Sequence, residues 1–432
     1  MSTELVTMIL FGGLLFLLLA GVQVFYAIGF ISTLVIFLTG DIPDLYMIAT
    51  TTFGQITQEG LITLPLFILM GTFLLHSGLS ERMFSSLNIW LNEIPGSLAV
   101  VATGVCIALA MTGGFGPGIL TMGLVAVPAM LKQGYSKSLT LGSVIGGGVL
   151  GSIIPPSLSM IIFGYIARLS IGKLFFAGAI PGFITGLLNI IYIIVLCRLN
   201  PKIAPKADIE VTWEKRIKAI KDIIPLALLV LMVLGTIFFG IATPTEAAGI
   251  GSLGAIFLCA INKKLTLEVI KNSCIETLKI SGMSLGILIT ASLFGVVYTS
   301  AGAQDMVMSI VTGLEVNRWV IIAVMQIILL ILGAFMDDFA IITICAPIFM
   351  PIVVHLGFDP IWYAIVFILN MQVAYLSPPF GWALILMKSV APPEIKTRDI
   401  WRSVPPFMII QVIALIMTMI WPQLALWLPS KM

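Results

Sequence analysis

Apolar runs of membrane-spanning length, divided by short polar flanks, follow one another through all 432 residues. Against a hydrocarbon core that takes about 20 helical residues to cross, they predict spans at 5–21, 22–40, 59–78, 141–167 and 174–198. A second set falls at 222–240, 244–261, 280–300, 362–388 and 404–428. Two further stretches, 96–131 and 319–352, are apolar but interrupted centrally. Each of their arms is about 15 residues, short for a full crossing. They read as re-entrant hairpins, with a pair of thin spanning helices as the alternative. The predicted fold is all-α: a polytopic membrane protein of about ten spanning helices plus two hairpins.

The pattern repeats. Pro128, Gly134 and Tyr135 form a P-x5-G-Y motif that returns 223 residues later as Pro351, Gly357 and Phe358. The same shift carries Pro155 and Pro156 onto Pro378 and Pro379. Five spans per half is an odd number, so the second half enters the membrane from the opposite face. That is an inverted-topology repeat, common among secondary transporters. The expected division is a first half 1–198 with hairpin 96–131, a cytoplasmic linker 199–221, and a second half 222–432 with hairpin 319–352.

Composition excludes a water-soluble globule. Hydrophobic residues are 59% and charged residues only 10%, where soluble domains carry roughly a quarter charged. The net charge of +2 gives no reason to expect nucleic acid. The distribution of charge matters more. If the linker with Lys202, Lys206, Lys215, Arg216, Lys218 and Lys221 is cytoplasmic, then 18 of the 22 Lys and Arg lie inside and four lie outside. The positive-inside rule therefore puts both termini on the outer face. No Lys or Arg precedes Arg82, so 8–38 reads as two membrane helices rather than a cleaved leader. The five cysteines are dispersed without metal or disulfide spacing, and packing is the plainer role.

Chemistry is expected where helices cannot continue. The glycine- and proline-rich segments 146–157 and 375–381 interrupt equivalent spans at mid-membrane depth. Tandem prolines remove backbone donors and forbid a regular turn. Such backbone is tolerated only against protein or a water-filled cavity. Freed carbonyls and hydroxyls suit a small hard cation, and half-helix N-termini suit an anion; plain proline kinks are the bland alternative. The hairpin tips, 112–118 and 333–338, are expected to face these breaks. Asp337 and Asp338 would each cost about 2.5 kcal/mol or more against lipid. They read as a cation site or as support for the tip, or else as acids hydrated in a vestibule. Asn370 and Gln372 either meet substrate hydroxyls or bridge helices. Thr243, Pro244 and Glu246 have the spacing of a capping box. His76 and His355 stand apart from acids, which argues against a proton relay. The amphipathic stretches 81–92 and 305–314 precede the two hairpins and read as interfacial arms or passive linkers.

Taken together, these residues resemble a known family. Pro65 to Gly71, Ser77-Gly78-Leu79, Pro128 with Gly134-Tyr135, the 146–157 break, Ser170 to Phe176 and Pro181-Gly182 are similar to the large membrane subunit of tripartite ATP-independent periplasmic (TRAP) transporters. So are Thr243 to Ala248, Gly333 to Asp337, Gly357 to Pro360 and Leu376 to Gly381, so the resemblance covers essentially the whole chain. It implies a sodium-coupled importer of a small organic acid in the bacterial inner membrane, working by an elevator movement. Its implied partners are a periplasmic substrate-binding protein and a small four-helix membrane subunit, with no cofactor beyond sodium as coupling ion. By the same resemblance one sodium site involves Thr112, Gly113, Gly114, Gly148, Gly151, Ile154 and Pro155, and a second Gly333, Asp337, Leu376, Ser377 and Pro378. Ser157, Asp338, Asn370, Gln372 and Gly381 are the candidate substrate contacts. The first tip departs from the family's serine-rich run, and Asp338 stands where an apolar residue or proline is usual. The segment 371–381 resembles a branch named for mannitol and chloroaromatic-acid uptake.

Two other functions fit parts of the pattern. A stand-alone anion carrier of related architecture would need neither partner. An intramembrane enzyme would use Asp337 and Asp338 as an acid pair, but neighbours on a helix diverge by about 100°, and the repeat then has no purpose. The orientation is directly testable. A cysteine at Asn317 is expected to react with an impermeant reagent from outside, and one at Lys206 only after permeabilisation; the reverse pattern overturns the topology.

Overall fold

The computed structural model describes residues 2–40, 45–110, 115–205, 212–378 and 381–432, and all regular structure within them is helical. Among the described residues, seven helices are long and apolar enough to cross a membrane. Six answer to predicted spans, and the seventh is Asp338–His355 within the second hairpin. The predicted spans 5–21 and 22–40 appear as the shorter apolar helices Thr3–Leu18 and Val24–Thr39. The spans predicted at 141–167 and 362–388 are broken ones, Lys137–Gly148 followed by Leu158–Ala167, and Pro360–Leu376 followed by Trp382–Val390. Lys137–Gly148, Leu158–Ala167 and Trp382–Val390 are each too short to cross alone.

Each hairpin has two helical arms. The first enters through Ser97–Ala110 and returns through Phe115–Lys132. The second enters through Arg318–Gly333 and returns through Asp338–His355. A shift of 223 residues lays the first returning helix on the second from end to end, and lays Lys137, which opens the first broken span, on Pro360, which opens the second. The P-x5-G-Y/F motif that announced this repeat has a local cause. Gly134 and Gly357 take left-handed conformations, φ 84° and 74°. The next residue's N–H then reaches back to Met130 O and Val353 O, at 3.0 and 3.1 Å. Each returning helix thus ends in a Schellman cap, with glycine at the left-handed position and an aromatic after it.

Around this centre lies a framework of lipid-facing helices. Pro244–Ile261 opens with the expected capping box: Glu246 Oε2 accepts the Thr243 N–H at 2.8 Å, and Thr243 Oγ1 accepts the Glu246 N–H at 3.3 Å. This helix packs along Thr63–His76, to which Ser252 Oγ donates through Leu66 O at 2.7 Å. The long helix Leu267–Ser300 also packs on Thr63–His76, with the Thr72 and Thr277 hydroxyls 3.3 Å apart. Such hydroxyl contacts let helices cohere where lipid removes the hydrophobic driving force. The amphipathic stretches form the helices Leu79–Leu91 and Ala303–Gly313. The first rests on Trp213–Phe238, where Trp90 Nε1 donates to Arg216 O at 3.0 Å and Ser86 Oγ to Asp222 at 2.7 Å.

Burial separates centre from framework. In an 18-residue window, 72% of Asp338–His355 is buried within the protein, against 28% for Trp213–Phe238. Leu228, Leu231, Leu253 and Phe257 stand out from the framework as lipid-facing surface. The helix Ile171–Leu199 presses on the first break through Gly178, where a Cβ would fall 2.6 Å from the Ile153 carbonyl oxygen. Gly178→Val is therefore expected to destabilise the detergent-solubilised protein by about 1–3 kcal/mol. Gly235→Ala, with nothing near its added methyl, is expected to be neutral; equal melting temperatures for the two variants contradict this packing.

Candidate functional site

The first break begins where three glycines end a helix and closes where a serine starts another. Lys137–Gly148 tightens into a 3-10 turn over Val149–Ser152. The prolines at 155 and 156 then keep the chain out of the helical region, since a residue before proline is pushed to extended conformations. Ser157 ends the break as N-cap of Leu158–Ala167 and donates its hydroxyl to Ser152 O. Every residue from 151 to 160 is buried.

The two halves meet here. Gln372 is fully buried, and its Nε2 donates to Val149 O at 3.3 Å and to Ser152 Oγ at 3.1 Å. Gln372 lies 223 positions after Val149, so a residue touches its own counterpart in the other half. Such a contact can occur only at the axis relating the repeats. Two residues earlier, Asn370 Nδ2 donates to Gln326 O at 2.8 Å and to its Oε1 at 2.7 Å. The equivalent pair in the first half is Gly147 against Thr103, where a Cβ on the glycine would lie 3.0 Å from Thr103 Cα. Both amides therefore bridge helices. Their oxygens, Asn370 Oδ1 and Gln372 Oε1, are buried without a hydrogen-bond donor among the described residues.

The second tip closes on the same centre. Gly333 packs against Ala374 so tightly that a Cβ would overlap it, at 2.3 Å. Asp337 is the half-buried N-cap residue of the returning helix. Asp338 is buried, and its carboxylate accepts the Ser159 hydroxyl at 2.5 Å. The Tyr375 hydroxyl also reaches it. One carboxylate thus joins the second hairpin to the half-helix after the first break and the half-helix before the second. Neither Ser159 nor Tyr375 is among the site residues expected from sequence; Tyr375 opens the predicted second break and Ser159 lies two positions after the first, and that placement was the available signal.

The remaining predicted residues divide by location. Thr112, Gly113 and Gly114 of the first tip lie outside the described residues, as does Pro379. Gly148 abuts Ile119 of the first returning helix, and Gly151, Ile154 and Pro155 line the buried first break. Leu376 is buried, Ser377 donates to Val373 O at 3.0 Å, and Pro378 is exposed. Gly381 leaves no room for a side chain: a Cβ would meet Tyr375 O at 2.4 Å. The centre offers hydroxyls, amide oxygens, backbone carbonyls and two carboxylates. This all-oxygen set suits a hard cation rather than a thiolate- or imidazole-seeking metal.

A family model described as "Tripartite ATP-independent periplasmic transporter, DctM component" matches residues 11–424. A C4-dicarboxylate TRAP transporter large permease protein of Pseudomonas aeruginosa is 31% identical over 373 residues, covering 86% of each chain. An isethionate TRAP transporter permease protein of Oleidesulfovibrio alaskensis is 29% identical over 95% of this chain, which spans 64% of that longer protein. A 2,3-diketo-L-gulonate TRAP transporter large permease protein of Escherichia coli is 28% identical over 90% of this chain and 91% of its own. Among solved structures, the YdaH transporter of Alcanivorax borkumensis aligns with a TM-score of 0.61 at 14% identity, covering 88% of this chain and 89% of its own. At that identity the likeness speaks for the fold.

The Asp338 contact yields a double-mutant test. Ser159→Ala removes a donor from a buried carboxylate, and a hydrogen bond to a charged group contributes about 1.5–3 kcal/mol. The loss on thermal or denaturant unfolding is expected to fall by half or more in an Asp338→Asn background. Equal losses in both backgrounds contradict the pairing.

Proposed function

Because the chain belongs to the DctM-component family of TRAP transporters, we propose that it is the large, substrate-translocating membrane subunit of a sodium-driven importer of a small organic acid. The family makes it a transporter rather than an enzyme. The relatives named above are permeases for C4-dicarboxylates, isethionate and diketogulonate, all small organic anions. Binding-protein delivery, a small membrane subunit and residence in the bacterial inner membrane with both termini periplasmic are carried over from this membership and from the charge asymmetry of the loops. The two inverted halves are 1–198 and 222–432, joined by the cytoplasmic linker 199–221.

One observation supports the site most strongly. The breaks and the second tip are tied into one buried body by Gln372–Val149 and Ser159–Asp338. Our reading is that this body carries the substrate, moving as an elevator against the framework helices. Sodium is co-substrate here. Asp337 at the tip and the unpaired oxygens of Asn370 and Gln372 supply negative potential for it. Ion binding that orders the tips favours the closed, substrate-loaded state, and the coupling is reciprocal by linkage. A stand-alone carrier of the same fold would dispense with the partners.

Uptake by proteoliposomes holding this chain with its small subunit separates the two. Transport is expected to require both an inward sodium gradient and the cognate binding protein, offered labelled C4-dicarboxylates, isethionate and sugar acids. Uptake with sodium alone favours the stand-alone carrier. In the same assay Asp337→Asn is expected to raise the sodium concentration for half-maximal rate about tenfold, with a smaller effect on maximal rate. Unchanged sodium dependence removes Asp337 from the ion site.

A further inference from the structure

Two adjoining cavities, of about 920 and 800 Å³, open between framework and centre. They share Ile166, Arg168, Leu169, Gly295, Thr299 and Pro347 as lining, and so are lobes of one space. One wall is Leu267–Ser300, joined in the larger lobe by Tyr46–Ile56. The other is Leu158–Ala167 beside the second returning helix, Asp338–His355. Those two helices start together at the Ser159–Asp338 pair. Arg168 comes nine positions after Ser159, and Pro347 nine after Asp338. At 1.5 Å per residue the cavity thus lies roughly 14 Å along both helices from the buried carboxylate.

The lining has a definite electrostatic character. Among the described residues its lining includes neither Asp nor Glu. Of these residues Arg168 carries the permanent charge, and His355 is the other basic side chain. Around them are hydroxyls and amides, among them Tyr165, Thr299 and the Ser292 hydroxyl, which donates to Gln55 Oε1 at 3.0 Å. Arg168 is exposed and makes no ion pair among the described residues. Its backbone is left-handed, φ 55° and ψ 40°, where it caps Leu158–Ala167, a conformation uncommon for a residue with a Cβ. A positive group in an otherwise neutral, polar cleft concentrates anions there. A guanidinium also offers a carboxylate paired donors.

We propose that this cavity is the route by which the organic anion reaches the broken spans, and that Arg168 captures its carboxylate on the way. The substrate class rests on the transport reading above; the charge and accessibility of the cavity do not. The experiment therefore has two arms. In a Cys274→Ser background, which removes the exposed cysteine and leaves four buried ones, Thr299→Cys is titrated with anionic sulfonatoethyl and cationic trimethylammonioethyl methanethiosulfonate. Arg168→Gln is expected to lower the anionic-to-cationic rate ratio about fivefold, as loss of a nearby unit charge requires. Arg168→Lys should hold the ratio within about twofold, and the ratio at Asn317→Cys should not respond. An unreactive Thr299→Cys, or a ratio indifferent to Arg168→Gln, overturns the proposal.

In the uptake assay, Arg168→Gln is expected to raise the KM for the transported acid roughly tenfold, the equivalent of one charge-assisted hydrogen bond. Maximal rate should change little, and Arg168→Lys should recover part of the loss. An unchanged KM also overturns the capture role. Absence of uptake in the unmodified protein defeats the transport reading instead, and the labelling arm still decides whether Arg168 charges the cavity.

Discussion

At mid-membrane depth no bulk water is at hand to satisfy an interrupted backbone, so every break in a helix has to be answered by another part of the protein. The rest of this structure depends on that constraint. Between Gly148 and Leu158 the chain abandons regular α-helix, and polar groups return from elsewhere: the Ser157 hydroxyl onto Ser152 O, and the Gln372 amide onto Val149 O and Ser152 Oγ. Gln372 and Val149 are counterparts in the repeat, and the first half's break is secured partly by the second half. The demand that makes a broken span costly also makes the two halves inseparable.

The Asp338 carboxylate shows the same logic applied to charge. A buried carboxylate is tolerable only with donors around it. Those donors are Ser159, one position into the half-helix after the first break, and Tyr375, at the end of the half-helix before the second. A helix N-terminus adds favourable potential. A carboxyl group is thereby accommodated in a place that is otherwise apolar. The framework around it is built on a plainer rule: apolar side chains face lipid, and scattered threonine and serine hydroxyls join helix to helix.

Much of this was legible in the sequence because its causes are local. The P-x5-G-Y/F pair is a Schellman cap written twice, and Thr243, Pro244 and Glu246 are a capping box written out in order. Hairpin arms and broken spans follow from apolar run lengths and from the placing of Gly148, Pro155 and Pro156. Pairings across the repeat axis were not legible. Nothing near Ser159 in the chain indicates that Asp338 is its partner, because that contact depends on how two hairpin-bearing halves interlock. For the same reason the sequence left Asn370 and Gln372 equally readable as substrate contacts or as helix bridges; the structure shows their amide N–H groups donating to Gln326, Val149 and Ser152. The cavity beside Arg168 was also beyond the sequence, since its walls come from helices far apart in the chain.

The central claim is that hairpins and broken spans form one body that moves against the framework. Pulsed electron–electron resonance on spin-labelled protein in lipid nanodiscs tests it most directly. Labels at the exposed Leu124 and Val354 sit on the two returning helices, and a label at Leu253 sits on the framework. On addition of sodium with substrate-loaded binding protein, the Val354–Leu253 distance distribution should shift or split while the Leu124–Val354 distribution stays fixed. If the Leu124–Val354 distances change as much, or neither pair responds, the interlocked centre does not move as one body and the account fails.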